Sequence, residues 1–295
     1  MKNTNHFLIL IAISVCWGIN VSIVKFAVLS VNAPITVAFW QSFIGSLCAL
    51  TWISTTNDEM VYEDGNLSYG LALALLHAIG ANVLANFVIM HLEITTVAVI
   101  FGSTPIITFI ISHIIGYDQI SLKRGLGIVC GFSAMLLIFS KTILINPKLI
   151  IWGLLACCVP FIFASMNLIT TKWSQCRKKY VQLTFLRYLI GSVILMLYNV
   201  SVGTNLLLVN TNLTTKLIIA SIGCIEILSQ ALLVLLISKA GPVFSSQTSY
   251  LATIFTVIFG VILFKEIIST QLILAIVIMI IGMILVQPKK TTFKN

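Results

Sequence analysis

Phe39-Trp40-Gln41-Ser42-Phe43-Ile44-Gly45 returns as Phe185-Leu186-Arg187-Tyr188-Leu189-Ile190-Gly191 at an offset of 146. Two more landmarks keep nearly that interval. Asn20 and Lys25 match Asn167 and Lys172 at 147, and Asp118 and Ser121 match Glu266 and Ser269 at 148. The interval is close to half of the 295 residues. Any one match is weak, but a shared offset reads as a duplication, with halves 1–145 and 146–295.

The composition says what kind of unit was duplicated. Hydrophobic residues make up 59% of the chain, charged residues 8%, and mean hydropathy is +1.10. A soluble domain carries about a quarter charged residues, so this chain cannot clothe a water-facing surface. Collagen, coiled-coil and disordered classes fail on the same figures. The net charge of +9 comes from short basic clusters between apolar runs, which argues against nucleic-acid binding. The seven cysteines are odd in number and most lie in apolar runs, as small hydrophobes do. They give no disulfide framework and no CxxC metal site. The remaining class is a polytopic membrane protein.

A spanning helix needs roughly 20 mainly apolar residues. Ten runs qualify: 6–26, 35–54, 67–90, 94–115, 122–141, 149–171, 181–201, 215–238, 242–264 and 268–287. Asn32-Ala33-Pro34, the 57–66 stretch, His91-Leu92-Glu93, Asn146-Pro147, 174–179, 203–212, Gly241-Pro242 and Lys265-Glu266 are the expected breaks. The first run continues past Trp17 without a small-x-small site, so it reads as a retained first helix. The runs lack the period-2 alternation of barrel strands. The expected fold is all-α, with ten transmembrane helices. Five helices per half make the second copy enter from the opposite face, so the halves are inverted repeats, a construction typical of secondary transporters.

Lys and Arg collect in cytoplasmic loops. With the N-terminus inside, Lys2, Lys123, Arg124, Lys172, Arg177, Lys178, Lys179, Lys239, Lys289, Lys290 and Lys294 face the cytoplasm. Lys25, Lys141, Lys148, Lys216 and Lys265 face the other side. Both termini are expected in the cytoplasm.

Short motifs add a family resemblance. Trp17-Gly18 followed by Lys25, Pro105 followed by Asp118 and Gly127, and Glu266, Ser269 and Gly282 in the second half resemble the EamA-type ten-helix members of the drug/metabolite transporter superfamily. The resemblance spans essentially the whole chain. It departs at Asp118, where Glu is usual, at Thr253, where the second Pro would stand, and at Gln41, where an Arg often stands. Arg187 keeps that Arg in the second copy. The resemblance implies export or import of amino acids or other small metabolites, with export the expectation here, across a bacterial inner (plasma) membrane.

Glu226 is the most informative single residue. It lies about 15 and 18 Å from Lys216 and Ser238 along a helix, hence mid-membrane. A carboxylate there costs at least about 2.5 kcal/mol if it faces lipid, so a cavity or a partner is expected. Ser229 and Gln230 share its face. Arg187 sits about 10 Å inside its helix and is a candidate partner for Glu226, or a packing anchor. His77 lies at a similar depth, as a proton relay or a helix-bridging donor. Asn82 and Asn86, one turn apart, are candidates for binding substrate or for gluing helices, and Gln247 with Tyr250 for holding a small zwitterion. Trp17 and Trp40 are candidates for lining a central cavity, although Trp also gathers at membrane interfaces. Thr104, Thr108 and Ser112 read as helix-packing glue. Lys25 and Lys172 read as interfacial anchors on carbonyls or lipid phosphates.

No HExxH, GxSxG, P-loop or acidic metal cluster occurs, so an intramembrane enzyme is the weaker alternative, with no cofactor and no metal expected. A nucleotide-sugar carrier would need several converging cations. A passive channel is the remaining alternative. The expected partners are a small metabolite, the bilayer, and protons as candidate coupling ion, with the chain a monomer or weak homo-oligomer.

Overall fold

The structure is a computed structural model. It describes residues 2–56, 66–115, 122–145, 149–174, 177–204, 206, 208, 211–245 and 248–286. Among these, every regular element is helical. The helices are α1 (Lys2–Val31), α2 (Pro34–Thr56), α3 (Asn66–Ala74), a π-helix (Leu75–Val83), α4 (Leu84–His91), α5 (Ile94–Phe101), α6 (Thr104–Ile114), α7 (Leu122–Ile145), α8 (Ile150–Ser174), α9 (Arg177–Val202), α10 (Leu213–Ser245), α11 (Thr248–Phe264) and α12 (Thr270–Val286). They form ten passes: α3, the π-helix and α4 make the third, and α5 with α6 the fourth. Six passes contain described helix long and apolar enough to cross a membrane, and the other four contain shorter apolar helix. The chain is a multi-pass integral membrane protein.

Local chemistry explains the breaks. Asn32 adopts a left-handed conformation (φ 53°), and its amide closes on the Val28 carbonyl at 2.9 Å. Pro34 then opens α2, where a missing N–H costs nothing. The fourth pass is interrupted at Gly102-Ser103, a break the hydropathy does not show. Pro105 accounts for it, because its ring cannot follow the Phe101 carbonyl in a continuous helix. The Asn212 carboxamide oxygen accepts from the Thr215 amide at 2.9 Å and so caps α10. The break expected at Gly241-Pro242 is corrected: α10 runs through both residues to Ser245. Spanning helices tolerate proline where neighbours re-satisfy the freed carbonyl, and Pro160 inside α8 is a second instance.

The halves pack through each other. α1 lies against α10 and α11, α2 against α9 and α10, and α7 against α12. The opening motif sits at one of these crossings. A Cβ on Gly45 would come within 2.9 Å of the Tyr188 ring, and one on Gly191 within 2.6 Å of the Ala78 Cβ. A Cβ on Gly223 would meet the Ile44 Cβ at 2.8 Å. Small residues let membrane helices approach where no hydrophobic force drives them together. The largest buried cluster, from Val24 through Val88 and Ile100 to Ile222, spans both halves. Leu126, Val129, Leu136, Leu197, Leu217 and Ile262 stay exposed on the outer surface, as lipid contact requires.

Candidate functional site

Glu226 lies in the middle of α10, at the crossing of α1, α2, α9 and α10. Three side chains donate to its carboxylate. The Tyr188 hydroxyl reaches Oε1 at 3.1 Å, the Gln230 amide reaches Oε1 at 3.2 Å, and the Asn20 amide reaches Oε2 at 3.3 Å. Below it, the Trp17 indole N–H donates to Ser229 Oγ at 3.0 Å, and Ser229 in turn donates to the Glu226 carbonyl at 2.7 Å. Helical spacing produces this arrangement. Trp17 and Asn20 are three apart on α1, and Glu226, Ser229 and Gln230 are three and four apart on α10. Each set therefore presents one polar stripe to the other.

Tyr188 is fully buried and joins a second layer to the first. The His77 ring stands edge-on to it with centroids 4.9 Å apart, and the Arg187 guanidinium carbon lies 4.9 Å from its ring centroid. His77 is carried by the π-helix, whose i→i+5 bonds recur at functional sites. Both His77 and Arg187 are 4% exposed, which removes lipid snorkelling as an account of Arg187.

Among the described residues, several buried polar atoms near this centre have no hydrogen-bond partner: Asn20 Oδ1, Ser42 Oγ and His77 Nδ1. A buried unsatisfied acceptor or donor costs about 1–3 kcal/mol, so such atoms are rare and call for an explanation. The Asn20 oxygen is the most telling, since its own amide nitrogen is already fixed on Glu226.

The other sequence candidates are dispersed. Asn86 is buried and donates to the Pro34 carbonyl at 3.1 Å and to Gln41 Oε1 at 3.0 Å, tying α4 to α2. Asn82 is half-buried near the end of the π-helix. Trp40 donates to the Leu206 carbonyl at 3.0 Å, which anchors it at the end of the bundle away from the N-terminus. Tyr250 packs against the apolar cluster of Ala98, Val99, Val257 and Met279. Gln247 lies outside the described residues, as do Asp118 and the 57–65 stretch.

A second polar centre lies near the end away from the N-terminus. Lys25 Nζ donates to the Leu92 carbonyl at 2.9 Å and pairs with Glu266 Oε1 at 3.1 Å. Glu266 also accepts the first amides of α5, Ile94 at 2.7 Å and Thr95 at 2.8 Å. The carbonyl contact agrees with the anchor expected of Lys25, and the ion pair adds to it. Lys265, left-handed at φ 54°, turns the chain after α11 so that Glu266 folds back over Gly260.

A two-half bundle of apolar passes with a polar centre buried at mid-depth is the architecture of a membrane carrier. The chain belongs to the EamA-like transporter family, whose model matches twice, over residues 5–140 and 151–287. A solved crystal structure is similar over 96% of this chain and 97% of that one, with a TM-score of 0.65 and 12% identity, a likeness of fold. In all, 16 solved chains match. No curated protein matches the sequence.

Proposed function

We propose that the protein is a secondary-active exporter of small organic metabolites, amino acids or related compounds, and that Glu226 with Asn20 holds the substrate ammonium. The supporting observation is the unused Asn20 Oδ1 beside the Glu226 carboxylate. An ammonium brings three donors and needs acceptors converging from more than one side. Two neighbouring acceptor groups at mid-membrane offer part of that set, and substrate would relieve the cost of the unpaired oxygen. Tyr188 and Gln230 hold the carboxylate still. Arg187 supplies positive charge in the second layer, and His77 with Glu226 offers sites for a coupling proton.

The halves 1–145 and 146–295 would rock about this centre so that it opens to one side at a time, with both termini cytoplasmic. The test is metabolite profiling of cells with and without the protein, followed by counterflow of the accumulated compounds in reconstituted vesicles. Accumulation of amines and amino acids in cells lacking it, with saturable counterflow, supports the reading. Linear, non-saturating flux would make the protein a channel.

A further inference from the structure

We propose that Cys48 and Cys224 are a site of oxidative modification, where hydrogen peroxide joins the two thiols in a disulfide that staples one half of the carrier to the other and slows its cycling. Both are free thiols, and their sulfurs stand 3.7 Å apart. Cys48 lies on α2 in the first half and Cys224 on α10 in the second, 176 residues further on. A close crossing of these helices brings them together. Ile44 is one turn before Cys48, and Gly223 directly precedes Cys224. A Cβ on Gly223 would lie 2.8 Å from the Ile44 Cβ and 3.0 Å from the Gly45 amide nitrogen. With the backbones this near, rotation of the two side chains takes the sulfurs from 3.7 Å to the roughly 2 Å of a disulfide.

The pair is open to an oxidant from the bilayer, since Cys224 is exposed and Cys48 half-buried. Hydrogen peroxide is small and uncharged and crosses lipid. The Cys224 sulfur takes one peroxide oxygen: its S–H bond and the O–O bond break, a sulfenic acid forms, and water leaves. The Cys48 sulfur then attacks the sulfenic sulfur, the S–O bond breaks, the S–S bond forms, and a second water carries away the Cys48 proton. Two thiols have lost two electrons, and one peroxide has gained them. The product is uncharged and needs no hydrogen bond, so it suits a lipid-facing seam where a charged adduct would be costly. The link lies two residues from Glu226, and Cys48 packs on the cluster of Ala49, Tyr188 and Ile227. It therefore holds α2 on α10 beside the carboxylate and its Tyr188 donor. The effect on cycling rests on the alternating-access reading above; the chemistry of the pair does not.

The test treats the full chain in lipid vesicles with hydrogen peroxide, alkylates the remaining thiols and maps the peptides by mass spectrometry. A Cys48–Cys224 linked peptide should form within one chain, vanish on treatment with dithiothreitol, and be absent from Cys48→Ala and Cys224→Ala. The linked protein should melt about 5 °C higher than the reduced one, because the bond closes a long loop. Both thiols still alkylated after peroxide, either one oxidised without its partner, or a Cys224–Cys224 link between two chains on a non-reducing gel each overturns the site.

Counterflow of a radiolabelled mixture of the common amino acids tests the effect on cycling. It should fall in step with the linked peptide and return with dithiothreitol, while Cys48→Ala vesicles stay active in peroxide. Linked vesicles that exchange as fast as reduced ones overturn the staple as a brake on the carrier. Reduced vesicles without counterflow reject the amino-acid reading of the substrate instead, and the linked peptide and the melt then decide the modification site by themselves.

Discussion

The hydroxyl of Tyr188 donates to the carboxylate of Glu226 across 3.1 Å, and the ring that carries it is edge-on to His77 and lies beneath Arg187. Tyr188 thus joins the second polar layer to the carboxylate. Tyr188→Phe should keep the packing and remove a hydrogen bond to a carboxylate, for a loss of about 1.5–3 kcal/mol. Transport should fall and the thermal melt should drop modestly. An unchanged melt and unchanged vesicle transport would mean that the hydroxyl positions nothing.

Glu226→Gln should leave the protein expressed and folded but reduce transport or displace its pH profile, since a mid-membrane carboxylate is kept for water, substrate or a cation. Uptake into vesicles over a pH series, beside melts, is the measurement. Transport equal to that of the native chain at every pH would remove Glu226 from the site.

Arg187 and Glu226 should be coupled although Tyr188 stands between them. Arg187→Met and Glu226→Gln made singly should each destabilise, and the double variant should recover part of the loss. A coupling energy of about 0.5–3 kcal/mol is expected for residues in one network. Strict additivity in a double-mutant cycle of melts would separate the two residues.

Two glycines should behave differently. Gly18→Ala places a Cβ 2.6 Å from the Phe255 Cβ where α1 crosses α11, and overpacking of that kind costs about 1–3 kcal/mol. Gly203 has nothing within 4 Å but a φ of +72°, so Gly203→Ala meets only backbone strain, about 1–2 kcal/mol. Both should lower the melting temperature; only Gly18→Ala, at the crossing of the halves, should slow transport.

Topology is open to direct measurement. Reporter fusions or cysteine labelling should place residues 174–179 and the C-terminus in the cytoplasm and residues 203–212 outside. An external C-terminus would contradict an inverted pair of five-helix halves.

Much of this was legible because it depends on short-range features. Apolar runs longer than a bilayer crossing mark the passes, and the constant offset between the copies of the 39–45 motif marks the duplication. The depth of Glu226 follows from counting along one helix. Gln230, one turn on, follows from the same count, but the partners on other helices do not, because Asn20 and Tyr188 reach it across 206 and 38 residues of sequence. The Lys25–Glu266 pair spans 241 residues and was equally hidden, although Glu266 had been matched to Asp118 within the repeat. Gly241-Pro242 misled because that dipeptide breaks helices in water, whereas a membrane penalises an open backbone more than a kinked helix. The π-helix was invisible because no side-chain pattern announces wider turns.

The wide turns of residues 75–83 also bear on how this chain can change its length. A turn closed by i→i+5 bonds holds one residue more than the i→i+4 turns on either side. Loss of a single residue there can be taken up by narrowing the winding, with α3 and α4 left in register with their neighbours. The same loss in the middle of α10 would swing everything beyond it by about 100° and carry Glu226 off its polar face. The third pass therefore holds slack in its backbone, and that slack lies under His77.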